Sequence, residues 1–456
     1  VKTRQRILRG AAANFGSLAT RVAAQFLTLP ILFSSWDAER VGAWLLLFAL
    51  PAYFGFIATG FAGAGGTAAV AAHENADTSQ ARAHFRSSWL IATAATLVLA
   101  AIFPLALAQT GAAIESLRSV PKEMLGQTLF ALAIYIFASS QVAVLEIPFR
   151  AVGRYADHIA FNSASILVEI VVIAACVSLL DSMATLAMAL AVTRIAAAIW
   201  IAALARRTAP ALFHGPSSML RESTRTLLLP SLALMLLPLV HGLNLQGYVM
   251  VIGISSGAAL LAGFVATRTL TRLLDLFTSF SFSMQYYEST HLDPEDLETR
   301  RRLLAIMTIL AVCIAVVFSG ALLILGDFAQ RVFTRAQTPF DPIVAAVLLL
   351  AASFRALAAA PFAMIAAANR HSGTVTWYFA ASLAGIFVAA FLADKGHALP
   401  LVVAPIALAE LFHLIPAFRG ALRLSGLSFG AFTASLLSRQ RIGDITWALR
   451  ELRRKR

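Results

Sequence analysis

Residues 263–277 read GFVATRTLTRLLDLF, an apolar stretch that carries Arg268, Arg272 and Asp275. At 100° per residue, Arg268, Thr271, Arg272, Asp275, Ser279 and Gln285 fall within about 100° of arc. Every charge of this segment therefore shares one helical stripe. A second stripe lies near the N-terminus, where Asn14, Ser17, Arg21, Gln25 and Thr28 fall within about 80° of arc. A third segment sets His241, Asn244 and Tyr248 on one face, with Pro230 and Pro238 able to bend it. Arginine stays charged and forks onto phosphate oxygens with two parallel hydrogen bonds. Amide and hydroxyl groups between the arginines suit sugar hydroxyls. The chemistry is recognition of a phosphorylated polar anion. No nucleophile with its base and no metal-ligand spacing accompanies it, so the pattern implies neither catalysis nor a cofactor.

The elements that must position these stripes are long apolar helices. The chain of 456 residues is 59% hydrophobic and 13% charged, with a mean hydropathy of +0.79. A soluble domain has roughly 45–50% apolar and about 25% charged residues. The apolar residues fall in runs of about 20, the length that crosses a bilayer as helix. Twelve such runs are predicted, at 12–34, 41–64, 87–109, 125–148, 159–180, 183–204, 227–252, 256–284, 303–325, 342–367, 374–393 and 398–418. The fold class is thus an all-α polytopic membrane protein. The first run follows a basic N-terminus but is too long for a signal peptide, so it reads as a retained span. Cys176 and Cys313 lie within spans and indicate no disulfide framework.

The net charge of +13 would point to nucleic acid in a soluble protein. Here 25 of the 36 Lys and Arg residues fall on one side of the twelve spans and 6 on the other. Topology accounts for them, and no nucleic-acid partner is implied. The positive-inside rule puts both termini in the cytoplasm. The tail from Ile445 sets Ile445, Ala448, Leu449 and Leu452 on one face among arginines, a basic amphipathic helix for anionic membrane lipids. The glycine run GFAGAGG at 60–66 has no preceding strand. It reads as close helix packing or a hinge, not a dinucleotide motif.

An internal repeat is visible. PFRAVGRYADHIAF begins at Pro148 and PFAMIAAANRHSGTVTW at Pro361. With a short gap, Gly153-Arg154-Tyr155 falls on Asn369-Arg370-His371 and Phe161 on Trp377. The offset corresponds to six spans. The reading is two pseudo-symmetric six-helix lobes, 1–205 and 227–418. A cytoplasmic connection, 206–226, joins them, and a cytoplasmic basic tail, 419–456, follows. Repeats of this kind mark transporters, with the site between them.

Charges inside spans cost roughly 2.5–3.5 kcal/mol each on insertion scales. A purely structural account pairs Arg272 with Asp275 at i, i+3 and Glu169 with Arg194 between helices. It explains the pairs but not the excess. Arg21, Arg194, Arg268, Arg272 and Arg355 outnumber Glu146, Glu169, Asp275 and Glu410. A cationic, partly hydrated cavity explains the surplus, with Glu169, Asp275 and His241 as candidates for ion coupling.

The stretch 7–61, with its basic entry, polar first span, Glu39-Arg40-Val41-Gly42-Ala43-Trp44 turn and Gly/Thr-rich second-span end, resembles the opening of Wzx-type O-antigen and exopolysaccharide flippases. The Gly153-Arg154 turn also fits that family. It belongs to the multidrug/oligosaccharidyl-lipid/polysaccharide (MOP) superfamily, with the lipid II flippases and the drug/cation antiporters of the MATE type. The resemblance implies a V-shaped bundle in the bacterial inner membrane, with a central cavity lined by spans one, two, seven and eight. It implies alternating access and transfer of an undecaprenyl-pyrophosphate-linked glycan to the periplasmic leaflet. Polysaccharide polymerase and chain-length machinery are the implied protein partners. Arg21, Arg268 and Arg272 occupy spans where that family carries essential cations, and Arg355 lies in span ten. Two other readings stand beside it. One is a proton- or sodium-coupled drug or cation antiporter of the same fold, which would want acids in excess. The other is a membrane-embedded polymerase or glycosyltransferase, which would want a large periplasmic loop.

Overall fold

The computed structural model describes residues 3–110, 114–215, 220–291, 296–368 and 370–436. These residues are helical and contain no strand. Each of the twelve expected segments is helix. Among the described residues, eight helices are long and apolar enough to cross a membrane. The large apolar side chains Val171, Ile199, Trp200, Ile324 and Phe328 face outward, whereas Glu169, Arg194, Glu410 and His413 are buried. That inversion is what lipid as solvent requires.

The described chain divides into two compact units. The first holds residues 1–263 with 333–338. The division falls at Gly263, whereas the lobes expected from the sequence part at 206–226. In chain order this unit contains α1 (Thr3–Leu32), α2 (Ala38–Glu74), α3 (Thr78–Thr110), α4 (Lys122–Val144), α5 (Glu146–Ala151), α6 (Tyr155–Leu179), α7 (Met183–Thr208), α8 (Pro210–Phe213), α9 (Leu220–Gly242) and α10 (Tyr248–Ser255). Between α9 and α10 lies a π-turn, Leu243–Gly247. Helix α2 packs on α3, α4 and α9, α4 on α7, and α1 on α6. Asp37 caps α2 by accepting from Arg40 N at 2.8 Å. The α4–α5 break follows from Pro148, which has no N–H to give the carbonyl of Val144. The glycines of 60–66 are packing positions. A Cβ on Gly65 would lie 2.0 Å from Ser88 Oγ. Arg82 and Arg86 on α3 donate to the carbonyls of Ala211, Phe213 and Gly215, fixing the start of the connecting segment.

Helix α11 (Ala258–Thr271) runs through the division. The second unit holds 264–332 with 339–456 and contains α12 (Leu274–His291), α13 (Leu297–Thr334), α14 (Pro342–Ala367), α15 (Ser372–Asp394), α16 (Leu399–Val403), α17 (Pro405–Leu424) and α18 (Phe429–Leu436). Helix α14 packs on α12 and α17, and α15 on α17. Pro405 breaks α16 from α17 as Pro148 does α4 from α5. The α11–α12 break at Arg272 and Leu273 contains no proline. There the Thr271 hydroxyl donates to Arg268 O at 2.9 Å, and Asp275 N reaches Arg272 O at 2.9 Å in a tightened turn. Threonine back-bonding of this kind bends helices. Asp296 accepts from Thr299 N at 3.0 Å at the head of α13, and that bond holds its carboxyl below the ordinary range. The basic tail from Ile445 lies outside the described residues.

The two sequence segments beginning at Pro148 and Pro361 lead into the same kind of turn. Arg154 N donates to Phe149 O at 2.8 Å, and Arg370 N donates to Ile365 O at 2.9 Å. Each is the six-to-one closure that ends a helix in a Schellman turn, and Gly153 supplies the left-handed residue with φ 72°.

Candidate functional site

The first unit encloses a half-open cavity of about 530 Å³. Three polar stripes line it. Helix α1 gives Asn14, Ser17 and Arg21. Helices α4 and α5 give Tyr135, Ser139 and Glu146, and α6 gives Tyr155, His158 and Asn162. Arg194 of α7 reaches the wall. Arg21 is exposed, and its Nη2 donates to Ser17 Oγ at 3.0 Å. Among the described residues no carboxylate lies within ion-pair distance of it. Gln25, one turn further along the expected stripe, is partly buried and does not line the cavity. Thr28 donates to its own helix at Ala24 O.

Arg194 and Glu169 are buried and form the ion pair that the structural account expects. Arg194 Nη2 donates to Glu169 Oε2 at 2.9 Å, and its Nε lies 2.5 Å from Oε1. The Tyr135 hydroxyl donates to Glu169 Oε2 at 3.3 Å. The Tyr135 ring lies 5.5 Å under the guanidinium. Charge is balanced here, and the triad pins α4, α6 and α7. Glu146 sits 3.4 Å from Arg150. His158 Nε2 lies 3.0 Å from Val142 O. A carbonyl only accepts, so that nitrogen carries the proton. Among the described residues the site thus keeps Arg21 without an ion-pair partner, beside neutral hydrogen-bonding groups and the Arg150-bound Glu146.

The second unit joins Arg272, Asp275 and Arg355 in one chain of contacts. Arg272 Nε donates to Asp275 Oδ2 at 3.0 Å. Arg355 Nη1 donates to Asp275 Oδ1 at 2.9 Å, and its Nε to Glu410 Oε1 at 2.8 Å. The Tyr378 hydroxyl donates to the same Glu410 oxygen at 2.7 Å, and His413 stacks on the Tyr378 ring at 4.2 Å. Two arginines meet two carboxylates, so the network is neutral. Arg268 is buried, with its guanidinium 5.3 Å over Phe264. His241 is exposed at the end of α9, and Asn244 is buried in the π-turn. Neither lines the cavity of the first unit.

The two networks correspond. In the first unit the fourth, fifth and sixth spans contribute Tyr135, Glu169 and Arg194. In the second, the tenth, eleventh and twelfth contribute Arg355, Tyr378 and Glu410. The same three chemical types are held on helices that the six-span repeat expected from the sequence would pair, with their places permuted.

No family model matches the chain, and no curated protein matches it. Solved structures do. A multidrug resistance MATE family transporter of the MOP superfamily, in an inward-facing conformation, aligns with a TM-score of 0.64 at 16% identity, covering 89% of this chain and 95% of that one. The lipid II flippase MurJ, in an inward closed conformation, aligns at 0.64 and 13% identity, covering 91% and 90%. The eukaryotic MATE transporter AtDTX14 aligns at 0.61 and 13% identity, covering 93% and 98%. The fold is therefore that of MATE-type and MurJ-type proteins over nearly the whole chain.

Proposed function

We propose that the chain is a transporter that flips an undecaprenyl-pyrophosphate-linked oligosaccharide to the periplasmic leaflet of the bacterial inner membrane by alternating access. The observation that carries this reading is Arg21, a cation with no carboxylate within ion-pair distance among the described residues, in a cavity whose other polar lining is hydroxyl, amide, phenol and imidazole groups, the Glu146 carboxylate held near Arg150, and Arg194 held by Glu169. Such a lining suits a pyrophosphate with sugars attached. Arg21 takes the phosphate oxygens, and Asn14, Ser17 and Asn162 exchange hydrogen bonds with sugar hydroxyls. The polyprenyl tail stays in lipid. A negative-inside potential favours outward movement of an anion by roughly 2.3 kcal/mol per charge per 100 mV. Arg268 is the second cation assigned to the head group. Arg272 and Arg355 are held by Asp275 and Glu410 and act first as structural ties. The fold likeness to a lipid II flippase supports a lipid-linked cargo. Both termini are assigned to the cytoplasm. Anionic lipids at the tail and a polysaccharide polymerase remain the proposed partners.

The test is complementation of a bacterial strain lacking its O-antigen flippase. Wild type restores surface polysaccharide, and Arg21→Ala at equal membrane expression does not. Rescue undiminished in Arg21→Ala contradicts the assignment.

One observation favours a second reading, a proton-coupled antiporter. Glu410 Oε2 is buried without a hydrogen-bond partner among the described residues. In that case, efflux of an organic cation driven by a pH gradient is lost in Glu410→Gln.

A further inference from the structure

A second cavity, of about 440 Å³, opens in the second unit where α12, α13, α14 and α17 end. Its polar wall is Arg300, Arg370, Ser289 and Thr290, and its apolar wall includes Met364 and Leu424. It has no part in the cavity proposed for transport, and its reading does not depend on that function.

Arg370 belongs to the repeated turn, which makes its environment interpretable. In the first copy Arg154 is neutralised within its own turn, its Nε donating to Asp157 Oδ2 at 2.7 Å. At the alignment that puts Arg154 on Arg370 and Phe161 on Trp377, Asp157 falls on Gly373. The turn is kept and its counter-ion is absent. Among the described residues Arg370 has no carboxylate within ion-pair distance. Arg300 lies on the same wall, and its Nε is buried without a hydrogen-bond partner among the described residues. Of the acids nearest in sequence, Glu298 pairs with Arg302 at 3.5 Å, and Asp296 accepts from Thr299 N while its charge also faces Arg300. Ser289 Oγ accepts from Gln285 at 3.0 Å, which leaves its own proton to give. The Thr290 hydroxyl donates to Tyr286 O and presents a lone pair. The walls are fixed, because Arg301 Nε donates to Ser425 O at 2.7 Å and ties the head of α13 to the end of α17.

The Arg370 guanidinium, with no carboxylate within ion-pair distance among the described residues, a second guanidinium at Arg300 and a donor hydroxyl beside an apolar wall form an anion site. We propose that this cavity binds a phosphate group, either the headgroup phosphate of an anionic lipid or a soluble phosphate. Guanidinium forks match phosphate oxygens. The positive-inside count assigns this face to the cytoplasm, whose leaflet is anionic.

The test supplies the missing counter-ion. Gly373→Asp restores the acid that Arg154 has. No atom lies within 4 Å of a Cβ built at Gly373, and an acid in the first turn of α15 suits the helix dipole, so the variant folds. Gly373→Asn is the neutral control, and Arg300→Gln with Arg370→Gln removes the cations directly. The full chain in zwitterionic micelles is titrated with inorganic phosphate and, separately, with phosphatidylglycerol, reading thermal stabilisation. Saturable stabilisation by at least one probe is expected in wild type and Gly373→Asn. Weakening of about tenfold or more is expected in Gly373→Asp and the double Gln variant, the size of one lost charge-assisted bond. Loss confined to phosphatidylglycerol assigns a lipid headgroup, and loss with inorganic phosphate assigns a soluble one. Equal titrations in wild type and Gly373→Asp, or no saturable response in wild type, overturn the proposal.

Discussion

Arg355→Leu is the most informative structural perturbation. The guanidinium holds two carboxylates, with contacts of 2.9 Å to Asp275 and 2.7–2.8 Å to Glu410. The Glu410 side chain has 0% exposure, whereas Asp275 has 23%. Removing one partner of a buried pair costs roughly 3–5 kcal/mol, because the remaining charge is uncompensated. Glu410 incurs that penalty in full and keeps only Tyr378. Asp275 keeps Arg272 and some water, so its share is discounted for screening. The expected loss is therefore about 3–5 kcal/mol, set mainly by Glu410. Asp275→Asn leaves Arg355 with Glu410 and both arginines partly solvated, and costs about 1–2 kcal/mol. Arg355→Leu combined with Asp275→Asn and Glu410→Gln removes all three charges together and recovers most of the loss. Equilibrium unfolding in mixed micelles, followed by tryptophan fluorescence, measures the series. An Arg355→Leu protein within about 1 kcal/mol of wild type, the value of an exposed pair, would refute the buried network.

Three further outcomes follow from local geometry. Gly65→Ala forces a methyl against Ser88 and destabilises by about 1–3 kcal/mol; thermal unfolding of Gly65→Ala with Ser88→Gly, which clears the space, shows recovery. His158→Phe keeps the ring volume but leaves Val142 O without its donor, at a cost of about 1–3 kcal/mol in the same unfolding assay. Asp296→Ala is destabilising at neutral pH. Because the folded carboxyl is held below its unfolded value near 3.9, its contribution is present above that value and lost as pH falls through the depressed one. The stability curves of wild type and Asp296→Ala therefore converge in acid, and curves that stay parallel to low pH would remove the cap.

Much of this architecture was legible in the chain. Run length and hydropathy locate all twelve helical segments, because a lipid-facing helix must be apolar over a fixed length. The α1 stripe also reads directly, and Asn14, Ser17 and Arg21 do line one cavity. The α6 stripe was equally readable and went unrecognised. Tyr155, His158, Asn162, Ser165 and Glu169 recur at spacings of three and four, but no charge before Glu169 draws attention to them. Partner choice was less legible. The i, i+3 contact of Arg272 with Asp275 follows from spacing, whereas the bonds of Arg355 to Asp275 and Glu410 join helices far apart in sequence. Counting charges gave a cationic surplus spread over five arginines. The geometry pairs Arg194, Arg272 and Arg355 with acids and leaves Arg21 without one among the described residues. The break at Arg272 carries no proline and was invisible for that reason.

The central claim rests on Arg21 and an anionic head group. Its most direct test is transbilayer movement in proteoliposomes of two lipid-linked oligosaccharides, one with a pyrophosphate and one with a charge-neutral linkage. The account predicts that wild type moves the pyrophosphate lipid much faster than the neutral one, and that Arg21→Gln erases the difference. Equal movement of both lipids by wild type, or an unchanged preference in Arg21→Gln, would contradict it.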